Sequence, residues 1–197
     1  MIINDQYIFV HVPKTGGQSV TVALGGRSGP YLHTPLAAVQ KEKRFAFGFV
    51  RNPWDRLVSL YHFLCQKNFK QTDNFDQAKV REVGFKAWLM DDEFFMNEDL
   101  KIPLTRKQDK GSPKYDMLPM QKRTQMWWLD GCDFIGQFES LSLDFYKACN
   151  LVGIKGKGLP HINKTEHRHY RYYYDGEMID FVAQHFKPEI EQFGYQF

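Results

Sequence analysis

His11-Val12-Pro13-Lys14-Thr15-Gly16-Gly17-Gln18-Ser19 is the stretch that decides the fold. Before it, Tyr7 to Val12 is a short apolar run that reads as a buried strand. After it, a helical pattern runs from Gly17 to Leu24 and is closed by Gly25 and Gly26. A strand that passes into a helix through paired glycines is suited to an anion. The glycines let the backbone wrap closely, and the N–H groups at the helix start face the ligand. Lys14 adds a cation, and Thr15 and Ser19 add hydroxyl donors. In an ATP-type loop, G-x-x-x-x-G-K-[ST], the lysine follows the glycines. Here Lys14 precedes them, and that ATP-type pattern occurs nowhere else in the chain.

Working outward, Phe45 to Val50 reads as a second buried strand and Asp133 to Phe138 as a third. Tyr31 to His33 reads as a short strand between the first two. Thr34 then caps a helix that has Pro35 in its first turn and runs to about Lys43. This alternation gives an α/β fold class: a three-layer, P-loop-NTPase-like central parallel sheet flanked by helices. At the end of the second strand stands Arg51-Asn52-Pro53-Trp54-Asp55-Arg56-Leu57-Val58-Ser59. Asn52 is a helix cap and Pro53 a first helical residue, and Trp54, Leu57, Val58, Tyr61 and Leu64 share one face. Arg51 lies at the strand's carboxyl end, and Ser59 lies two turns into the helix, off that apolar face. Together they suit one phosphate, gripped by a guanidinium fork and a hydroxyl. Open α/β sheets bind ligands at the carboxyl edge. Two anion sites on that edge suit a nucleotide phosphorylated at both its 5′ and 3′ positions.

The rest of the chain is read more coarsely. Residues 68–130 form an insertion of helices and loops: Val80 to Leu89 is helical, an acidic patch follows, and then a basic stretch from Lys107 to Arg123. Leu141 to Leu151 is helical and stops near Gly153, and a last helix covers about Gly176 to Phe186. With 197 residues, 43% hydrophobic and 16% aromatic, the chain reads as one packed domain over 1–197. A formal charge of +3 is too mild to imply nucleic acid, and no membrane span or signal peptide is visible. Cys65, Cys132 and Cys149 are few and odd in number. They read as small buried residues in a reducing compartment, which points to the cytoplasm.

Pro-Lys-Thr-Gly-Gly-x-Ser after the first strand, with Arg-Asn-Pro-x-x-Arg-x-x-Ser after a later one, resembles the sulfotransferases of the carbohydrate-modifying type. These are the heparan 2-O-sulfotransferase relatives and their bacterial counterparts. Phe138-Glu139, the loop Leu159-Pro160-His161-Ile162-Asn163-Lys164-Thr165 and the ending Phe193-Gly194-Tyr195-x-Phe197 also look like the bacterial members. The resemblance implies a donor, 3′-phosphoadenosine 5′-phosphosulfate (PAPS), whose sulfuryl group moves by in-line displacement to an acceptor hydroxyl on a carbohydrate. It implies Lys14, Thr15, Gly16, Gly17, Gln18 and Ser19 for the 5′-phosphosulfate and Arg51 and Ser59 for the 3′-phosphate. Asn163, Lys164 and Thr165 are implied as a loop over the nucleotide.

Transfer of this kind needs stabilisation of the leaving phosphate and a base for the acceptor proton. Lys14 suits the first role. His33, on the same edge, suits the second, with an ordinary pKa near neutrality. His161, His167 and His169 match no standard ligand spacing, so no metal is expected. Lys155-Gly156-Lys157-Gly158 reads as a loop, and Tyr170, Tyr172, Tyr173 and Tyr174 read as packing against the core. Two rivals stay open here: a P-loop kinase, which would need a Walker lysine and a magnesium-binding carboxylate, and a non-enzymatic polyanion-binding module using the basic stretch.

Overall fold

The computed structural model describes residues 1–26, 33–66, 77–90, 123–160, 162 and 167–197. In chain order the elements are β1 (Ile2–Ile3), β2 (Tyr7–Val10), α1 (Gly17–Ala23), β3 (Phe45–Val50), α2 (Pro53–Leu64), α3 (Gln77–Met90), α4 (Met126–Leu129), β4 (Phe134–Gln137), α5 (Leu141–Val152), α6 (Gly176–His185) and α7 (Lys187–Phe193). Short 3₁₀ turns cover Leu36–Ala38, Phe138–Ser140 and Tyr170–Tyr173. Among the described residues one compact unit holds 1–51 and 125–162, and the other holds 52–90, 123–124 and 167–197.

The first unit carries a four-stranded sheet in the order β1-β2-β3-β4, in which β2, β3 and β4 run parallel. β1 is antiparallel to β2, joined through Asn4, whose Oδ1 accepts from Gln6 N and Tyr7 N at 2.9 Å each and so closes the turn. Paired residues of parallel strands share a face, so Tyr7, Phe9, Phe47 and Phe49 line one side. Val20 and Ala23 of α1 and Phe145, Ala148 and Cys149 of α5 pack onto them as one core. Burying each of these phenylalanines stabilises the fold by about 1.5–3 kcal/mol. The opposite side is covered at Gly48, where a Cβ would strike Leu129 of α4. Helices thus flank the sheet on both faces, the α/β arrangement expected from the alternation.

Several local expectations need correction. The helix expected from Thr34 to Lys43 is only the turn Leu36–Ala38, with Val39 already extended. This segment is used to reach the β4 side of the sheet instead. Lys41 Nζ donates to Asp133 Oδ1 at 2.7 Å and to Gly131 O at 2.9 Å, and Asp133 Oδ2 accepts from Ala46 N at 2.7 Å. His33 lies in a turn and not in a strand. Tyr31 and Leu32, with most of the 68–130 insertion, lie outside the described residues. Of the cysteines, only Cys149 is buried.

The second unit is built around α2. Asn52 Oδ1 accepts from Trp54 N and Asp55 N at 3.1 and 3.4 Å, and Pro53 opens the helix, as the sequence requires. Tyr61 is only half-buried, whereas Leu60 joins the buried face and Arg56 is wholly enclosed, its Nη2 donating to Arg123 O at 2.9 Å. α3 bends at Gly84, where φ is 79°. The expected last helix stops at His185, and a second one, α7, follows with Pro188 in its first turn. Tyr173 and Tyr174 pack edge-on to Phe85, at 5.9 and 5.2 Å, but Tyr172 is 77% exposed.

Candidate functional site

The site sits in the first unit, where the chain leaves two adjacent parallel strands. The ladder of β2 ends at Val10, and His11 to Gly16 form the loop into α1. This loop turns twice through the left-handed region, at Lys14 (φ 68°) and at Gly16 (φ 77°). A non-glycine residue there costs about 1–2 kcal/mol, a strain that characteristically collects at functional loops. Thr15 is buried, and its hydroxyl donates to Val12 O at 3.0 Å. That hydroxyl is thereby spent on bracing the loop. Ser19 and Gly17 are also buried on α1, and Gln18 is half-buried. α1 has only seven residues, so its dipole is a minor contributor and the cations dominate.

Arg51 is the first residue past β3. It is buried, its guanidinium lies 4.2 Å from the centroid of Phe138, and its Nη1 donates to Lys14 O at 3.1 Å. Arg51, the first residue of the second motif, thus meets the first motif within one unit, whereas Asn52 to Ser59 belong to the other. Burial first, and the Arg51 charge second, bring the Lys14 ammonium down to about 8.

His33 lies against the same loop. Its Nδ1 is 2.9 Å from His11 O. A carbonyl oxygen only accepts, so Nδ1 carries the proton and Nε2 keeps its lone pair. Trp128 Nε1 donates to His33 O at 3.0 Å, fixing the residue from its backbone as well. Burial brings the His33 imidazole down to about 4, so it is neutral, and available as a base, across the physiological range.

Sequence reading alone passes over His11. It is buried, stacks on Phe9 at 5.9 Å, and meets the His33 ring edge-on at 4.7 Å. Its ring fills the space above Gly17, where a Cβ would collide with it. Only its place next to the proline-lysine run could have pointed to it. Phe138, read as the end of a strand, instead supports Arg51.

Other residues named from the sequence lie elsewhere. Ser59 is on α2 in the second unit and is buried, although it was expected off the apolar face. His161, Asn163, Lys164 and Thr165 lie outside the described residues. In the second unit His167 stacks on His62 at 5.1 Å, and His169 meets Tyr170 at a tilt, 4.5 Å between ring centroids. Among the described residues no three His, Cys, Asp or Glu side chains are grouped to hold a metal ion, and no helix is long and apolar enough to cross a membrane.

What this edge offers is a cationic, glycine-lined loop beside a neutral imidazole. Such a combination suits an anionic ligand with a proton acceptor beside it. No curated protein and no solved structure matches the chain. The model of the Sulfotransferase family matches residues 30–196, a stretch that contains His33 and Arg51 and begins after the Lys14 loop. With most of its length so matched, the chain belongs to the sulfotransferase family.

Proposed function

We propose that the chain moves the sulfuryl group of PAPS to an acceptor hydroxyl, on a carbohydrate, by in-line displacement. The observation that carries this reading is the Arg51–Lys14 contact. It brings together a lysine and an arginine at the carboxyl ends of neighbouring parallel strands, where an α/β sheet takes its ligand. The residues fit a phosphosulfate. The loop turns left-handed at Lys14 and Gly16, and the missing side chain at Gly17 makes room for the buried His11 ring beside it.

When bound, PAPS supplies the transferable sulfuryl group and a phosphate leaving group. The backbone N–H groups of Thr15 to Ser19 and the Lys14 ammonium hold the 5′ end. Lys14 stabilises the negative charge that develops on the departing phosphate oxygen. His33 Nε2 accepts the proton of the attacking hydroxyl, and its Nδ1–H stays on the His11 carbonyl while it does so. Arg51 and Ser59 are assigned to the 3′-phosphate by the Arg-Asn-Pro-x-x-Arg-x-x-Ser spacing, and Asn163, Lys164 and Thr165 to the nucleotide loop by the resemblance alone. Residues 68–130 are assigned to the acceptor.

A paired ligand experiment tests the donor. At about 100 times its dissociation constant, 3′-phosphoadenosine 5′-phosphate stabilises the fold by roughly 2.7 kcal/mol, whereas ATP with magnesium does clearly less. Equal stabilisation by both would favour a kinase-like site. Transfer of labelled sulfate from PAPS to a panel of glycans and small alcohols then identifies the acceptor.

A further inference from the structure

We infer that Gln125 is a positioning residue for the donor site, setting the backbone of Arg51 and through it the phosphate loop. The inference rests on the donor reading above and adds to it a residue that neither motif contains. Gln125 is wholly buried, and its side-chain amide makes two bonds to a single residue: Oε1 accepts from Arg51 N at 2.8 Å and Nε2 donates to Arg51 O at 2.8 Å. Arg51 lies one position beyond the β3–β4 ladder, which ends at Val50 and Gln137. There the glutamine amide supplies what a further strand would have given, one acceptor and one donor side by side.

The side-chain chemistry is selective. A glutamate at this position has no donor for the Arg51 carbonyl while ionised, and an asparagine is one methylene shorter. The clamp is also well anchored. Gln125 is the residue that enters α4, and Trp128 and Leu129 of that turn have no exposed surface. Trp128, three residues on, donates to His33 O. One helical turn thus holds the backbone of both the anion-binding arginine and the base.

The test uses the full chain with Gln125→Glu and Gln125→Met, reading the affinity for 3′-phosphoadenosine 5′-phosphate by calorimetry and the transfer kinetics with PAPS. Both variants should bind the nucleotide at least tenfold more weakly than wild type at pH 8, with KM for PAPS rising more than kcat falls. Burial raises a carboxyl pKa, so the introduced carboxylate of Q125E should regain its proton, and with it the missing donor, as the pH falls to about 5.5. The affinity of Q125E relative to wild type should then recover, while that of Q125M does not. A folded Q125E with wild-type affinity at pH 8, or with the same deficit at both pH values, would overturn the inference. Should either variant fail to fold, the wild-type chain still decides. The side-chain amide protons of Gln125 should exchange with solvent far more slowly than those of exposed glutamines, and exchange at the exposed rate overturns the clamp. Wild type that binds no nucleotide sinks the donor reading, a result distinct from any of these.

Discussion

The Arg51 guanidinium donates to the main-chain carbonyl of Lys14 at 3.1 Å while resting on the ring of Phe138. One residue therefore serves two purposes. On the proposed reading it offers charge to the donor, and it ties the left-handed turn at Lys14 to the end of the neighbouring strand. The proximity also has a cost, because two cations in one partly desolvated place repel. Part of the low pKa of Lys14 comes from this repulsion. An anionic ligand relieves it, so the site is better satisfied filled than empty.

Arg51→Ala should weaken binding of 3′-phosphoadenosine 5′-phosphate by roughly 10- to 150-fold, the equivalent of about 1.5–3 kcal/mol for a hydrogen bond to a charged group. Arg51→Lys keeps the charge but loses the planar fork and the flat stacking surface, so it should restore only a minority of that loss. Titration calorimetry at fixed ionic strength checks both. Unchanged affinity in the alanine variant would remove Arg51 from the site.

The pH dependence follows from Lys14 and His33. Lys14 must be charged to hold the donor, and its pKa is about 8. His33 must be neutral to accept a proton, and its pKa is about 4. kcat/KM, which reports the free enzyme, should therefore be flat between about 4 and 8 and fall on either side. Lys14→Arg stays charged and should abolish the alkaline limb. Bound anion favours protonated Lys14, so nucleotide binding near pH 8 should take up protons, and the alkaline limb of kcat should lie above that of kcat/KM. Calorimetry in buffers of different ionisation enthalpy measures the uptake, and proton release there would contradict the assignment.

Much of this was legible in the sequence because it rests on local signals. The glycine pair and the apolar runs located β2, α1 and β3, and Asn52-Pro53 located the start of α2 to the residue. What escaped was decided at long range. Ile2–Ile3 is too short to show a period, and it forms a strand only because Phe9 and Ile8 lie alongside. Residues 34–43 have a cap and a proline at the right spacing, yet Lys41 reaches Asp133, 92 positions away, and the chain extends instead. Gln125 looks like any polar residue at a helix start until Arg51, 74 positions earlier, is folded against it.

Asp144 makes the stability of the first unit sensitive to acid. Its carboxylate is nearly buried, and its Oδ2 accepts from Gln137 N at 2.9 Å and from Ser140 Oγ at 2.7 Å, joining β4 to α5. Burial alone would raise its pKa, but these bonds and Lys147 outweigh burial and lower it. A carboxylate with a depressed folded pKa stabilises above its unfolded value and loses that contribution as pH falls through the folded one. Stability should thus decline below about pH 4. Asp144→Ala should lower stability at pH 7 by about 1.5–3 kcal/mol and flatten the acid-side decline. Denaturant melts across pH would show it, and an alanine variant as acid-sensitive as wild type would discount the bonds.

The contact between Gly17 and His11 makes the last prediction. A Cβ on residue 17 would strike the His11 ring, which is held between Phe9 and the His33 ring and has little room to swing away. Gly17→Ala should therefore cost about 1–3 kcal/mol through overpacking and should slow transfer as well, because a displaced His11 disturbs both the edge contact and the carbonyl that orient His33. His11→Ala removes the obstacle. If the ring is what forbids a side chain at 17, the double variant His11→Ala/Gly17→Ala should be more stable than the sum of the single losses, by about 0.5–3 kcal/mol of coupling. Simple additivity of the two losses would mean that Gly17 is required for some reason other than the histidine above it.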